Sequence, residues 1–147
     1  MRKLFFGISA LMMGMAPALA LDAINSTGKG HLAIRGADTT SYFRQGKQSS
    51  GSKQHIVRWK GAEWRFATAQ DAALFRADPS SFAPQFGAYC TGGLSQKHVV
   101  EGKPQYWRIH GKKLYLFHTS AGAKRFSKDP DGTIKRAKAY WATLDIN

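Results

Sequence analysis

Cys90 and His98 are the residues whose types and spacing first suggest chemistry. Cys90 is the single cysteine among 147 residues, set in the stretch FGAYCTGG, and His98 follows across the Gly92-Gly93 turn. Thiolate and imidazole are donors that copper and zinc both accept, so Cys90 with His98 is a candidate metal site. The same pair could form a thiol and imidazole nucleophile. No clustered carboxylates and no thiol-hydrolase signature surround it, and the expectation is a non-enzymatic protein. Tyr42, Phe86 and Tyr89 flank the thiol and are candidates to line a pocket for a small flat ligand. Of the remaining histidines, His31, His55, His110 and His118, the last two lie roughly 16 Å apart in the hairpin register and cannot share one ion. Set against all of this is a plainer reading: an unpaired cysteine is among the most buried residue types and packs as a small hydrophobe.

Charge offers a second kind of chemistry. Lys and Arg total 22 against nine Asp and Glu, for a formal charge of +13. A chain this basic attracts polyanions over long range. The densest cationic group, Lys135, Arg136 and Lys138, falls on a helix with an apolar opposite face, and is a candidate surface for anionic partners.

The N-terminus directs which polyanion. Met1-Arg2-Lys3, an apolar run from Leu4 to Met15, and Ala18-Leu19-Ala20 follow the order of a secretory signal peptide over residues 1–20, with cleavage after Ala20. The product is expected to be periplasmic or secreted. Its partners would then be an anionic envelope component, and no nucleic acid is expected. The apolar run is shorter than a bilayer needs, so no transmembrane segment is expected in the mature chain. Leu21 rather than a cysteine at the cleavage point argues against a lipid anchor. All four methionines leave with the leader (Met1, Met12, Met13 and Met15), which excludes a Met-rich copper(I) site. One cysteine allows no internal disulfide and no dithiol redox cycle.

These residues need a scaffold. Residues 21–30 read as a flexible leader, with order beginning at His31. HIVRWKGAEWRF fits a hairpin turning at Lys60-Gly61, which pairs Trp59 with Ala62, Arg58 with Glu63 and Val57 with Trp64. YWRIHGKKLYLF fits a second, turning at Gly111-Lys112, with Ile109, Leu114, Trp107 and Leu116 facing the core. Thr68 caps a helix over 69–77 with Asp71 in its first turn and Pro79 closing it. The stretch 80–93 is a short helix or compact loop carrying Cys90. Residues 120–128 form a helix, and Asp129-Pro130 opens another with Ile134, Ala137, Trp141 and Leu144 on one face. No internal repeat is evident. The sum is a small α+β domain over residues 31–147, an antiparallel sheet of hairpins with interleaved short helices and a C-terminal amphipathic helix.

With these elements placed, the chain resembles the exported branch of the YHS-domain family. The resemblance runs from Ile34-Arg35-Gly36-Ala37-Asp38 and Ser41-Tyr42-Phe43 through Trp59 to Phe66 and Phe75-Arg76-Ala77-Asp78-Pro79. It continues through Ala83 to Cys90, then Trp107, and Gly111 to Leu116. Departures occur at DTTSYF, FGAYC and LYLF. The family implies the α+β fold and an association with metals. The three thiol positions of its metal-associated members fall on Ser41, Ala67 and Asp71, so their soft-metal site does not carry over. Two readings stand: a copper, zinc or small-ligand site centred on Cys90 with His98 and Tyr89, or a basic interaction protein whose Cys90 is structural.

Overall fold

The alternation of apolar and polar residues in both hairpin segments sets the fold in the computed structural model, which describes residues 19–147. The leader expected over 1–20 lies, except for Leu19 and Ala20, outside the described residues. Strands β1 (Ser26–Thr27) and β2 (Leu32–Ala33) precede helix α1 (Thr39–Arg44). The first hairpin is β3 (Ser52–Trp59) and β4 (Ala62–Phe66), followed by α2 (Ala69–Ala77) and α3 (Pro79–Phe82). Helix α4 (Thr91–Ser95) leads to the second hairpin, β5 (Lys103–His110) and β6 (Lys113–Phe117), then to α5 (Ser120–Lys128) and α6 (Pro130–Trp141). One sheet has the order β1-β2-β4-β3, and β5-β6 form a separate ribbon. The class is α+β. Because β2 joins β4 in parallel, through Leu32 and Glu63, the larger sheet is mixed rather than antiparallel throughout.

Both hairpins adopt the register that their alternation dictates. Val57 pairs with Trp64, Arg58 with Glu63 and Trp59 with Ala62; Trp107 pairs with Leu116 and Ile109 with Leu114. Helices α2 and α5 begin at threonine caps, where Thr68 Oγ1 accepts the Asp71 N–H and Thr119 Oγ1 the Gly122 N–H. Each ends at an aspartate that caps the next helix, with proline as that helix's first residue. Pro79 thus opens α3 as well as closing α2.

These matched details reveal an internal duplication, which corrects the expectation of no repeat. Hairpin, capped helix, Asp-Pro and second helix occur twice, displaced by the same number of residues at every step. Phe66, Thr68, Ala72, Phe75, Asp78 and Pro79 recur as Phe117, Thr119, Ala123, Phe126, Asp129 and Pro130. The strand irregularity between Ser52 and Ile56 recurs between Lys103 and Trp107. Ahead of each hairpin stands a left-handed turn, Ile34-Arg35-Gly36 in the first half and Phe86-Gly87-Ala88 in the second. The hydrogen bonds holding it also correspond: Gly51 N–H to Gly36 O and Asp38 N–H to Ser49 O in one half, Gly102 N–H to Ala88 O and Cys90 N–H to Val100 O in the other. A Cβ on Gly51 would lie 2.3 Å from the Arg65 backbone, and one on Gly102 2.5 Å from Ala88 O, so both positions demand glycine. A left-handed non-glycine residue costs roughly 1–2 kcal/mol. Its presence in both halves marks that strain as part of the framework rather than of a site.

The halves share one core. Trp64, Phe66 and Phe75 cluster with Leu114 and Leu116 from the second hairpin. The opposite face of that hairpin packs Tyr115 and Phe117 on Phe126 and Ile134. Ile109 departs from expectation: it is 38% exposed. It occupies the place that Arg58 has in the first hairpin, on the outer strand near the turn, where its neighbour Leu114 alone is covered.

Residues 21–30 are built into the fold instead of forming a flexible leader. Ile24 is 4% exposed. Leu21 bridges Ile146, with the Leu21 N–H donating to Asp145 O at 2.8 Å and the Asn147 N–H to Leu21 O at 2.9 Å. The Asn25 N–H donates to Gly87 O at 2.7 Å. Backbone polarity here is satisfied by long-range partners that local composition does not announce.

Candidate functional site

The Cys90 side chain is 5% exposed as a residue and packs among Tyr115, Phe117, Ala123, Phe126 and Ile134. Its Sγ accepts two backbone N–H groups, Gly93 at 3.3 Å and His118 at 3.2 Å. The first caps α4 and the second ties that cap to the end of β6. Asp38 does the same work in the first half: its Oδ1 accepts the Thr40 N–H at 2.9 Å, capping α1, and its Oδ2 the Ala67 N–H at 2.9 Å, just past β4. Cys90 is therefore the structural counterpart of a buried capping aspartate.

His98 is not brought to that sulfur as a ligand. It is an exposed residue whose backbone N–H bonds Gly93 O at 2.9 Å. His110 Nε2 meets Asp131 at 2.8 Å, His118 Nδ1 lies 3.1 Å from Glu101 O, and His31 Nδ1 lies 3.5 Å from Ser26 Oγ. Among the described residues, no group of three or more His, Cys, Asp or Glu side chains is placed to hold a metal ion. The Cys90 and His98 pairing rests on nearness in sequence: Gly92 and Gly93 are part of α4, and His98 lies beyond that helix as an exposed residue while Cys90 is buried at its start.

Two of the three aromatic candidates are also structural. Tyr42 is 1% exposed, and its hydroxyl donates to Pro104 O at 2.7 Å. Burial, reinforced by the Asp38 charge, raises its pKa well above the ordinary phenol value. The Tyr89 hydroxyl donates to Asp22 O at 3.0 Å, and burial, then the Asp22 charge, push its pKa up to about 12. Phe86 is different: it is half-buried and lines a cleft.

That cleft, about 340 Å³, lies on the seam between the halves. Trp59 and Lys60 reach it from the first hairpin, Lys113 from the second, Phe86 from the left-handed turn and Trp141 from the end of α6, while Ile24 and Ile146 close its floor. Lys60 Nζ stands 4.8 Å from the centre of the Trp59 ring, and the Phe86 and Trp141 rings meet edge to face at 6.0 Å. None of its lining residues carries a carboxylate side chain. It continues past Ile24 and Lys60 into a wider depression of about 630 Å³ that reaches His31 and Asp22. The site thus joins aromatic faces to two cations, a combination suited to a ligand with a ring and a negative charge. Lys113 and Trp141 escaped sequence reasoning because only the duplication brings the two hairpin turns to one seam. The cationic turns Lys60-Gly61 and Gly111-Lys112-Lys113 were the available signal, Lys60 and Lys113 being the two that line the cleft.

Lys135, Arg136 and Lys138 are exposed on α6, as the amphipathic pattern requires, with Ile134 and Ala137 buried beneath them. Arg136 is partly neutralised by Asp129 at 3.2 Å. No helix among the described residues is long and apolar enough to cross a membrane. Compared with known proteins, the chain matches no family model, no curated protein and no solved structure.

Proposed function

We propose that this chain is a non-enzymatic, extracytoplasmic binding protein for an anionic ring-bearing ligand, such as an acidic saccharide of the cell envelope, held in the seam cleft. The observation that carries this reading is the joining of Trp59, Phe86 and Trp141 with Lys60 and Lys113 in one cleft lined by no acidic side chain. Aromatic faces cover the apolar side of a sugar ring, and the two ammonium groups meet its carboxylate or sulfate. The cationic ridge Lys135, Arg136 and Lys138 adds long-range attraction for the same class of polyanion. Burial of Cys90 among hydrocarbon groups supports the reading in which the thiol is structural and charge does the recognition. The export signal read over 1–20 and the likeness to exported YHS-domain proteins belong to this proposal, and the first backbone pairing among the described residues, at Leu21, agrees with cleavage after Ala20.

Trp59 and Trp141 make the test direct. Titration with a uronic-acid oligosaccharide is expected to change tryptophan fluorescence saturably, more weakly at high salt, and not at all in a Lys60→Gln, Lys113→Gln double variant. Equal binding of a neutral oligosaccharide, or an unchanged titration in the double variant, would remove the reading.

A further inference from the structure

The duplication also exposes a place where the halves differ in charge rather than in framework. In the first half the third residue of the capped helix is Asp71, which is 5% exposed. Its carboxylate accepts the Thr68 hydroxyl at 2.8 Å and is paired with Arg44. In the second half the equivalent residue is Gly122. The threonine is retained, as Thr119, but Arg44 is replaced by Gln96 and Phe82 by Thr133. A cavity of about 180 Å³ opens there between α4, α5 and α6, lined by Gln96, Gly122, Arg125, Asp129, Thr133 and Arg136 among others.

The chemistry around Gly122 is that of a carboxylate site without its own carboxylate. A Cβ built on Gly122 would lie 3.3 Å from Thr119 Oγ1 and 4.0 Å from Arg125 Nη2. Arg125 is exposed and makes no ion pair among the described residues. Arg136 reaches the same cavity, where Nη2 is 3.2 Å from Asp129 Oδ2 and 3.4 Å from Thr133 Oγ1. Asp129 Oδ1 is itself engaged by the Gly132 N–H at 3.0 Å. Two guanidinium groups therefore face one carboxylate that already has partners, and the balance favours a further negative charge.

We infer that the second half binds a small oxyanion beside Gly122, in the position that the Asp71 carboxylate occupies in the first half. Arg125 is its principal partner, the Thr119 hydroxyl and Arg136 complete the contacts, and planar carboxylates and tetrahedral phosphate both fit the volume. Guanidinium recognises both through paired N–H donors. This site lies apart from the seam cleft and does not depend on the ligand proposed there.

The test uses the purified chain, with inorganic phosphate as probe and chloride at matched ionic strength as reference. Phosphate is expected to raise the thermal midpoint saturably, as ligand binding to the native state requires. Arg125→Gln, a change at an exposed residue, should weaken phosphate binding at least tenfold while leaving the midpoint without phosphate nearly unchanged. Gly122→Asp should do two things at once: raise the midpoint without phosphate, by supplying the carboxylate internally, and abolish the response to phosphate. No difference between phosphate and chloride in the wild-type chain would overturn the inference. So would a phosphate response that survives in Arg125→Gln at full strength, even if Gly122→Asp fails to fold.

Discussion

Asp38 in the first half and Cys90 in the second stand at equivalent points of the backbone, and each accepts the N–H that caps a helix together with an N–H just beyond a hairpin. Their surroundings differ. The Asp38 carboxylate also receives the Thr40 hydroxyl at 2.7 Å, whereas Cys90 sits against Phe117 and Phe126. A carboxylate is the stronger acceptor but demands several donors once buried. Sulfur is a weak acceptor that costs little to desolvate. A solitary thiol thus follows from placing an inherited acceptor position against an aromatic wall, without any appeal to metal or redox chemistry. The same reasoning separates Thr39 from Thr91. The Thr39 hydroxyl donates to Phe82 O at 2.5 Å, a carbonyl freed because α3 stops there. The equivalent carbonyl, of Thr133, lies inside the longer α6 and is used by the helix, and the Thr91 hydroxyl is left buried without a partner among the described residues.

The largest effect expected from this comparison is at the acceptors. Asp38→Ala strands three donors, the two of Thr40 buried and the Ala67 N–H part-buried, and should cost about 3–5 kcal/mol in denaturant unfolding, since each lost partner costs about 1–3 kcal/mol. Cys90→Ala strands two donors from a weaker acceptor and should cost about 1–3 kcal/mol. An unchanged midpoint in Cys90→Ala would break the equivalence. A thiol reagent should correspondingly react with Cys90 only as fast as the native chain opens.

The threonines come next, with opposite signs. Thr39→Val should cost about 1–2 kcal/mol by orphaning the Phe82 carbonyl, while Thr91→Val should be neutral or stabilising by up to about 1 kcal/mol, because it removes an unpaired hydroxyl. The same sign for both would mean that the second half finds a partner for Thr91.

Alkaline titration sharpens the contrast further. Tyr42, Tyr89 and Tyr115 all have raised pKa values, burial being the first cause in each. A raised phenol favours the protonated form in the folded state. Stability is therefore full below the unfolded value near 10 and falls as pH rises through about 12, the folded value of Tyr89. Ultraviolet absorbance of phenolate should show Tyr42, in the first half, ionising last and only with unfolding.

The smallest effect belongs to the outer face of the first hairpin. Arg58 pairs with Glu63 at 3.3 Å but its side chain is 71% exposed, so Arg58→Ala should change stability by no more than about 0.5 kcal/mol. Ile109→Arg, which gives the second hairpin the residue type of the first at that point, should be equally mild.

The elements set by local rules were legible in the chain: both hairpin registers from alternation, α2 from its Thr68 cap and Pro79, and α5 with Asp129-Pro130 after it. The duplication is carried in the chain by Phe66, Thr68, Ala72, Phe75, Asp78 and Pro79, which recur at one spacing, but it stands out only once the matching elements are seen, because the residues between them have diverged in size and charge. Tyr42, Tyr89 and Cys90 read in the chain as candidates for a ligand or metal site, and only their hydrogen-bond partners reveal a framework role. The cleft needed tertiary knowledge, since Trp59, Lys113 and Trp141 are far apart in sequence and meet only where the halves join.

The clasp between Leu21 and Ile146 has a kinetic consequence. It links residues far apart in sequence, so its loop-closure entropy is large, and it can form only after Asp145 to Asn147 are available. Since Ile24 and Ile146 line the seam cleft, each half can gather its own hairpin and helices early, whereas that cleft is the last part of the molecule to come into being.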